Sequence, residues 1–183
     1  MDINMPVIDL GKYYLRDVCC EDYLDLFDIV RHDEVTRYLT YDSLKTPLEA
    51  LYMIEEFNLK RPSMGLPVGY AIVSKKEHKM IGMIEFHTYY KNINACEIGF
   101  ILHPNYQKKG IMHKALNEMI ELGFNHLGLN KIIAACVDLN EASRNLILGC
   151  GFKYEHVEYS AFELENEFRN IEYYSIYNYE RMM

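Results

Sequence analysis

The chain has 183 residues, half of them hydrophobic and a quarter charged, which is typical of one globular domain covering residues 1–183. Its formal charge of −8 argues against nucleic acid as a main partner, because phosphate binding requires a basic face. The N-terminus lacks the features of a signal peptide, and no apolar run approaches the ~20 residues of a membrane span. We therefore expect a cytoplasmic protein that binds neither nucleic acid nor a membrane.

The five cysteines form neither a metal-binding nor a disulfide pattern. Their number is odd, no CxxC spacing occurs, and Cys19 and Cys20 are adjacent. We expect buried thiols in a reducing compartment, and the sequence implies no metal ion.

The first third of the chain is predicted to contain a short strand followed by three helices. The expected ranges are 13–18 for the strand and 21–31, 33–39 and 46–59 for the helices. The third helix has the clearest start, because Thr46 can cap it, Pro47 suits its first position and Glu49 follows the cap by three residues. Pro62 limits its end, since the residue before a proline avoids helical geometry.

The rest of the chain alternates between strands and helices. Strands are expected at 68–74, 80–90, 95–102 and 131–137, helices at 110–126 and 141–150, and two long tyrosine-rich strands around a turn at 163–168. The polar turn at 75–79 favours an antiparallel hairpin, and the apolar run at 131–137 is typical of a buried central strand. This order predicts a mixed α/β sheet in one domain.

The turn at 103–112, HPNYQKKGIM, has the composition of an anion site. It contains Lys108, Lys109 and Gly110 but no acidic residue, in a chain with 27 acidic residues. A helix that begins near Gly110 presents unpaired N–H groups and a partial positive charge, and glycine lets a ligand approach the backbone closely. The turn is a candidate phosphate cradle, although it is not a Walker A motif, and by itself it would also serve as an ordinary connection.

Five short motifs carry a family resemblance. They are QKKGIM at 107–112, NEAS at 140–143 with GF at 151–152, VTRYL at 35–39, TP at 46–47 and EIGF at 97–100. The first is similar to the Q/R-x-x-G-x-G/A loop of the GNAT superfamily of acyl-CoA-dependent N-acyltransferases, and the second resembles the helix that follows it. The others resemble the RimJ/RimL-like branch, whose named members acetylate ribosomal-protein N-termini. The resemblance implies the GNAT fold, a mixed, mostly antiparallel twisted sheet with helices on both faces.

The resemblance also implies that acetyl-CoA is the co-substrate. One strand edge would pair with the pantetheine amides, and Asn140 would contact the pantetheine arm, with Ser143 beside it. The strand residues are Phe100, Ile101 and Leu102, and the pyrophosphate loop consists of Gln107, Lys108, Lys109, Gly110, Ile111 and Met112. Met112 departs from the small residue of the family loop and would add a side chain near the phosphates.

The catalytic acid and base are less completely specified. Many family members carry a tyrosine seven residues after the asparagine as the acid, but Ile147 occupies that position here. Ser143 matches a serine that has this role in the branch and is the remaining candidate. The base is open among Glu97, Glu85, His87 and water, with Glu97 favoured, and each side chain could also be an ordinary strand residue.

We therefore predict an N-acetyltransferase that transfers acetyl from acetyl-CoA to a primary amine directly, in a ternary complex. The favoured acceptor is the N-terminal α-amine of a protein or peptide. The alternatives are a polyamine, aminoglycoside or amino acid acceptor, or a non-catalytic acyl-CoA sensor. Tyr173, Tyr177 and Tyr179 share one face of the last strand, where they would either hold a cation or peptide or simply pack. The oligomeric state is open, with a homodimer among the alternatives.

Overall fold

The strands form one mixed sheet in the computed structural model, which describes residues 5–178. They lie side by side in the order β1-β2-β3-β4-β5-β6-β8-β7. Their bounds are Ile8–Asp9 (β1), Tyr13–Asp17 (β2), Tyr70–Ser74 (β3), Lys79–Tyr90 (β4), Ala95–Leu102 (β5), Lys131–Val137 (β6), Lys153–Leu164 (β7) and Glu167–Tyr177 (β8). Neighbouring strands are antiparallel except β5 and β6, which are parallel. The predicted mixed, mostly antiparallel sheet is confirmed.

Helices cover both faces of this sheet, as predicted. They are Tyr23–Val30 (α1), Asp33–Thr36 (α2), Pro47–Met53 (α3), Ile111–Asn125 (α4) and Glu141–Gly149 (α5). Side chains of α1 and α3 pack on one face and side chains of α4 and α5 on the other. No helix within residues 5–178 combines the length and the apolar composition that a membrane crossing requires.

The alternation of side chains along β4 and β5 decides which residues face which helices. Ile84, Phe86 and Ile98 lie in the core with α4, whereas Met83 and Ile101 pack with α1 and α3. Since successive strand residues point to opposite faces, the residues 85, 97 and 99 lie on the α1–α3 face. The polar residues of the candidate site are therefore separated from the larger core.

Local signals placed most elements correctly. The strands predicted at 95–102 and 131–137 have those bounds, and the helix predicted to start at Thr46 begins with a Thr46 N–H bond to Glu49 Oε2 at 3.1 Å. This helix reaches its expected end, but its last turn, Ile54–Asn58, is a π-helical turn.

Two details of the prediction differ from the structure, and a third is not tested by it. The helix predicted at 33–39 ends at Thr36, where the chain turns back with a Leu39 N–H bond to Thr36 O. Strand β1 was not predicted, because two residues are too few to show a period. Tyr179 lies outside the described residues, so its predicted place on the last strand is not addressed.

Candidate functional site

The parallel strands β5 and β6 separate part-way along their length. They pair only through residues 95–97 of β5. Beyond Glu97, β5 stays paired with β4 as far as Leu102, and β6 stays paired with β8 as far as Val137. The edge of β5 at residues 98–102 therefore faces β6 without ladder hydrogen bonds. Its backbone N–H and C=O groups are available to a ligand or to solvent.

The turn at 103–112 begins where this open edge ends. The 3-10 turn Pro104–Tyr106 follows His103, and Gln107 then donates from Nε2 to Leu102 O at 3.1 Å. This bond holds the turn against the end of β5. Because Leu102 O already accepts this hydrogen bond, the backbone groups that remain open to a ligand are mainly those that precede Leu102 in β5.

Gly110 caps α4 in a left-handed conformation, with φ of 71°. The first helical bond runs from Lys114 N–H to Gly110 O at 3.2 Å, so the N–H groups of Ile111, Met112 and His113 have no acceptor inside the helix. The first turn of α4 contains no acidic residue. Free N–H groups and the helix dipole together make this end of α4 suitable for an anion.

Lysine side chains add positive charge beside the same helix end. Lys108 and Lys109 are exposed, and Lys109 Nζ is anchored on Asn105 O at 2.6 Å. Lys109 also lines, with Lys12 and Lys114, a surface depression of about 430 Å³ next to the turn. The turn is therefore locally basic within a chain of net charge −8.

The expectation that the Met112 side chain lies near the phosphates is wrong. Ile111 and Met112 are 3% and 7% exposed, and both side chains pack in the core beneath α4. Because these side chains face the core, only the backbone of these two residues can contact an anion at the helix start.

The start of α5 lies at the same sheet edge, because it follows the carboxyl end of β6. Asn140 caps this helix, and its Oδ1 accepts the Ser143 N–H at 3.1 Å. The Asn140 amide nitrogen is thus the part of that side chain left to bind a ligand.

Ser143 is half-buried, and within residues 5–178 its hydroxyl has no hydrogen-bond partner. Ile147 is fully buried in the core and cannot serve as an acid.

Glu97 stands at the point where β5 and β6 separate and is in contact with two polar side chains. Tyr90 donates from its hydroxyl to Glu97 Oε2 at 3.2 Å, and His87 Nε2 lies 3.7 Å from Glu97 Oε1. His87 occupies a β-bulge of β4, and its Cδ2 lies 3.0 Å from where a Cβ at position 99 would be, so any larger residue there would push the His87 ring aside by a few tenths of an ångström. A bulge that re-aims a side chain is common beside active sites.

The protonation properties of these groups favour Glu97 as a proton acceptor. Burial raises the pKa of Glu97, the hydrogen bond from Tyr90 lowers it, and the charge of Glu158 raises it further. Burial, with the positive charge of Arg61, lowers the pKa of His87 to about 4. His87 is therefore neutral and weakly basic near neutral pH, whereas Glu97 is a stronger base than an ordinary carboxylate.

Glu85, the other carboxylate considered as a base, is committed to an ion pair. Its Oε1 accepts from Arg61 Nη2 at 2.5 Å, and Arg61 Nη1 also donates to Phe86 O at 3.0 Å. Both side chains are largely buried. Glu85 therefore lies on the same face as Glu97, but its negative charge is balanced by Arg61, which makes it a less suitable base than Glu97.

Two further residues of this face were not predicted as site residues. Glu158 of β7 accepts from the Tyr173 hydroxyl at 3.0 Å, and its charge acts on Glu97. His156 stacks on the Tyr173 ring with centroids 4.6 Å apart. The alternation of β8 indicated the face of Tyr173, but bulges in the β7–β8 pairing set the position of Glu158, and no local pattern reveals them.

Asp28, His32 and His103 form a group with metal-ligand spacing at the start of the turn. One ligand atom of each residue lies within 4.8 Å of the others. The sequence did not indicate this group, because α1, the loop after it and the end of β5 meet only in the folded chain.

Comparison with known proteins agrees with this geometry. A family model for the acetyltransferase (GNAT) domain matches residues 12–153. The uncharacterized N-acetyltransferase YoaA of Bacillus subtilis is 31% identical over 153 residues, which are 83% of this chain and 85% of that protein.

Two solved structures have the same fold. One is the ribosomal-protein-S5-alanine acetyltransferase of Vibrio fischeri, with a TM-score of 0.84, 22% identity and coverage of 95% of this chain and 97% of that chain. The other is spermidine N-acetyltransferase of Vibrio cholerae in complex with CoA and spermine. Its TM-score is 0.81 at 17% identity, and the match covers 94% of this chain and 99% of that chain. These structures confirm the predicted fold, and they include a ribosomal-protein acetyltransferase, as the resemblance implied.

Replacing Gly110 by valine should weaken acetyl-CoA binding at least about tenfold, which corresponds to a loss of ~1.4 kcal/mol of binding free energy. A valine would project from the backbone where the pyrophosphate is expected, and its left-handed φ would cost ~1–2 kcal/mol of stability. Gly128→Val is the matched control, because Gly128 also has a positive φ of 67° and open space around it, but lies beyond the other end of α4. Calorimetric titration with acetyl-CoA measures the affinities. Equal affinity in wild type and Gly110→Val would contradict the anion-binding role.

Proposed function

The chain belongs to the GNAT family of acetyltransferases, and from this premise we propose that it acetylates the N-terminal α-amine of a peptide or protein. It is an acetyl-CoA-dependent N-acetyltransferase by family. The observation that carries the proposal is the separation of β5 from β6, which puts an open strand edge between Glu97 and the start of α4. A donor and an acceptor can meet in that gap.

The residues around the gap suit acetyl-CoA. The free N–H groups of Ile111 and Met112, with the lysines beside them, would hold the pyrophosphate. The backbone edge at Phe100 and Ile101 would pair with the pantetheine amides. When bound, acetyl-CoA supplies the activated acetyl group as a thioester.

In the proposed reaction Glu97 accepts a proton from the acceptor ammonium, directly or through a water molecule. The neutral amine then attacks the thioester carbon, and a backbone N–H near Ile101 stabilises the negative charge that develops on oxygen. As the C–S bond breaks, Ser143 donates a hydrogen bond from its hydroxyl to the sulfur. The departing thiolate takes up the second proton that the attacking nitrogen loses, while Glu97 releases its proton to solvent. The products are the acetylated amine and free CoA thiol.

A small polycationic amine is the second candidate acceptor. Glu97 and Glu158 lie close enough for their charges to interact, and among the described residues neither forms an ion pair with a lysine or arginine. An acidic pair of this kind suits a cation. The spermidine acetyltransferase with the same fold supports the alternative.

We expect peptides with a free N-terminus to be better acceptors than N-terminally blocked lysine peptides. An α-amine has a pKa of ~8 and a lysine side chain ~10.4, so deprotonation at pH 7 costs about 1.4 and about 4.6 kcal/mol respectively. A single carboxylate base such as Glu97 can offset the smaller deprotonation cost of an α-amine more readily than the larger cost of a lysine side chain. Release of CoA thiol, measured with both peptides and with spermidine, tests this. Faster turnover of the blocked lysine peptide would contradict the α-amine proposal, and turnover of spermidine alone would favour the polyamine.

Replacing Ser143 by alanine should lower kcat by roughly 10²–10³ and leave acetyl-CoA affinity nearly unchanged, because the hydroxyl acts mainly on the leaving thiolate. The variant should not melt earlier, since the helix cap is Asn140 rather than Ser143. Asn140→Ala, which removes the helix cap itself, should in contrast lower the free energy of unfolding by ~1 kcal/mol. Steady-state kinetics and thermal melts separate these effects. A Ser143→Ala rate close to that of wild type would exclude the acid role.

The pH dependence of kcat/KM should report Glu97. The ionised carboxylate is the active form, so activity should fall as pH drops through a pKa that burial holds above its ordinary value. Glu158→Gln removes a negative charge that raises this pKa, so the acidic limb should move to lower pH. Glu163→Gln, on the exposed part of β7, makes the same change in net charge and should leave the limb in place. A Glu158→Gln profile identical to that of wild type would contradict Glu97 as the base.

A further inference from the structure

Asp28, His32 and His103 converge from separate parts of the chain. Asp28 lies in the last turn of α1, His32 follows the end of that helix, and His103 is the first residue after β5. His103 Nε2 lies 3.3 Å from Asp28 Oδ2. Ligands of a tetrahedral metal ion with bonds of ~2.0–2.1 Å are about 3.3 Å apart, so this pair already has the required spacing.

His32 provides an independent indication of a ligand. Its Nε2 is buried, and within the described residues it has no hydrogen-bond partner. Its ring stands edge-on to the ring of His103 with centroids 5.2 Å apart. Buried imidazole nitrogens are normally satisfied, and one bond to an ion shared with His103 would satisfy this one. The three ligand atoms all lie within 4.8 Å of one another, so a small side-chain movement would bring them to metal-bonding distance.

We propose that Asp28, His32 and His103 form a binding site for a divalent transition-metal ion of the zinc type. Two imidazoles and one carboxylate are a ligand set for Zn²⁺ or Co²⁺, and they leave one coordination position for water. Ca²⁺ and Mg²⁺ are disfavoured, because they prefer oxygen ligands. Asp28 Oδ1 already forms an ion pair with Arg31 Nη2 at 3.1 Å, so Asp28 would bind the ion through Oδ2 alone.

The site links α1 to the turn at 103–112. The Asn105 N–H donates to His103 Nδ1 at 3.2 Å, so the hydrogen of the neutral ring is on Nε2 and points to Asp28. An ion on Nε2 requires that hydrogen on Nδ1, and the Asn105 bond is then lost. Metal binding and the conformation of the 3-10 turn Pro104–Tyr106 are therefore coupled, and this lost bond reduces the affinity.

Titration of tag-free, metal-stripped protein with Co²⁺ tests the site. We expect one equivalent to bind with the visible absorption of tetrahedral Co²⁺ and without the near-ultraviolet band of a thiolate ligand, and Zn²⁺ to displace it. His32→Gln and Asp28→Asn, both at positions that are not fully buried, should each weaken binding at least tenfold while circular dichroism stays unchanged. His126→Gln is the matched control, because His126 is exposed at the end of α4.

Three results would overturn the proposal. The first is no Co²⁺ spectrum at millimolar metal. The second is equal binding by wild type and folded His32→Gln protein. The third is a thiolate band, which would assign the ion to cysteines such as the half-buried Cys19 and Cys20. Activity is not needed for any of these measurements, so the result does not depend on the acetyl-transfer proposal.

Discussion

Three residue pairs join β5 to β6, and the candidate site is arranged around the point where this pairing ends. Beyond Glu97 each strand is held by its other neighbour, β4 or β8, so the sheet itself maintains the gap. Backbone groups along the gap cannot pair across it, and a buried group left unsatisfied costs ~1–3 kcal/mol. A ligand with amide groups of its own would satisfy this edge, which is the role we propose for the pantetheine arm.

The two ends of the gap differ in charge. At one end the start of α4 presents N–H groups among lysines and has no acidic residue in its first turn. At the other end are Glu97 and Glu158, whereas Arg61 neutralises the nearby Glu85. A charge distribution of this kind orients an anionic donor and a cationic acceptor before they react. The start of α4 is thus locally basic within a chain of net charge −8.

Packing on the α1–α3 face sets the chemistry of Glu97. Gly99 leaves the space into which His87 turns at the β4 bulge, and His87 then covers one side of the carboxylate. Tyr90 contacts the other oxygen. Burial by this packing raises the pKa of Glu97 by more than the hydrogen bond from Tyr90 lowers it. The same carboxylate on an open strand would be an ordinary acidic side chain.

The sequence by itself determined the elements whose signals act over a few residues. The apolar runs of β5 and β6, the cap at Thr46 and the glycine at 110 specify their structures locally, because periodicity and capping depend on neighbours within one or two turns. Only the tertiary structure decided that the β5–β6 pairing ends after three residues. It also decided that Arg61 forms an ion pair with Glu85, and that Glu158 and Tyr173 lie beside Glu97. These contacts depend on strand register and bulges, and register is set by how the whole sheet packs against its helices. A sequence pattern therefore located the turn that we propose as an anion site, whereas the environment of the carboxylates required the folded chain.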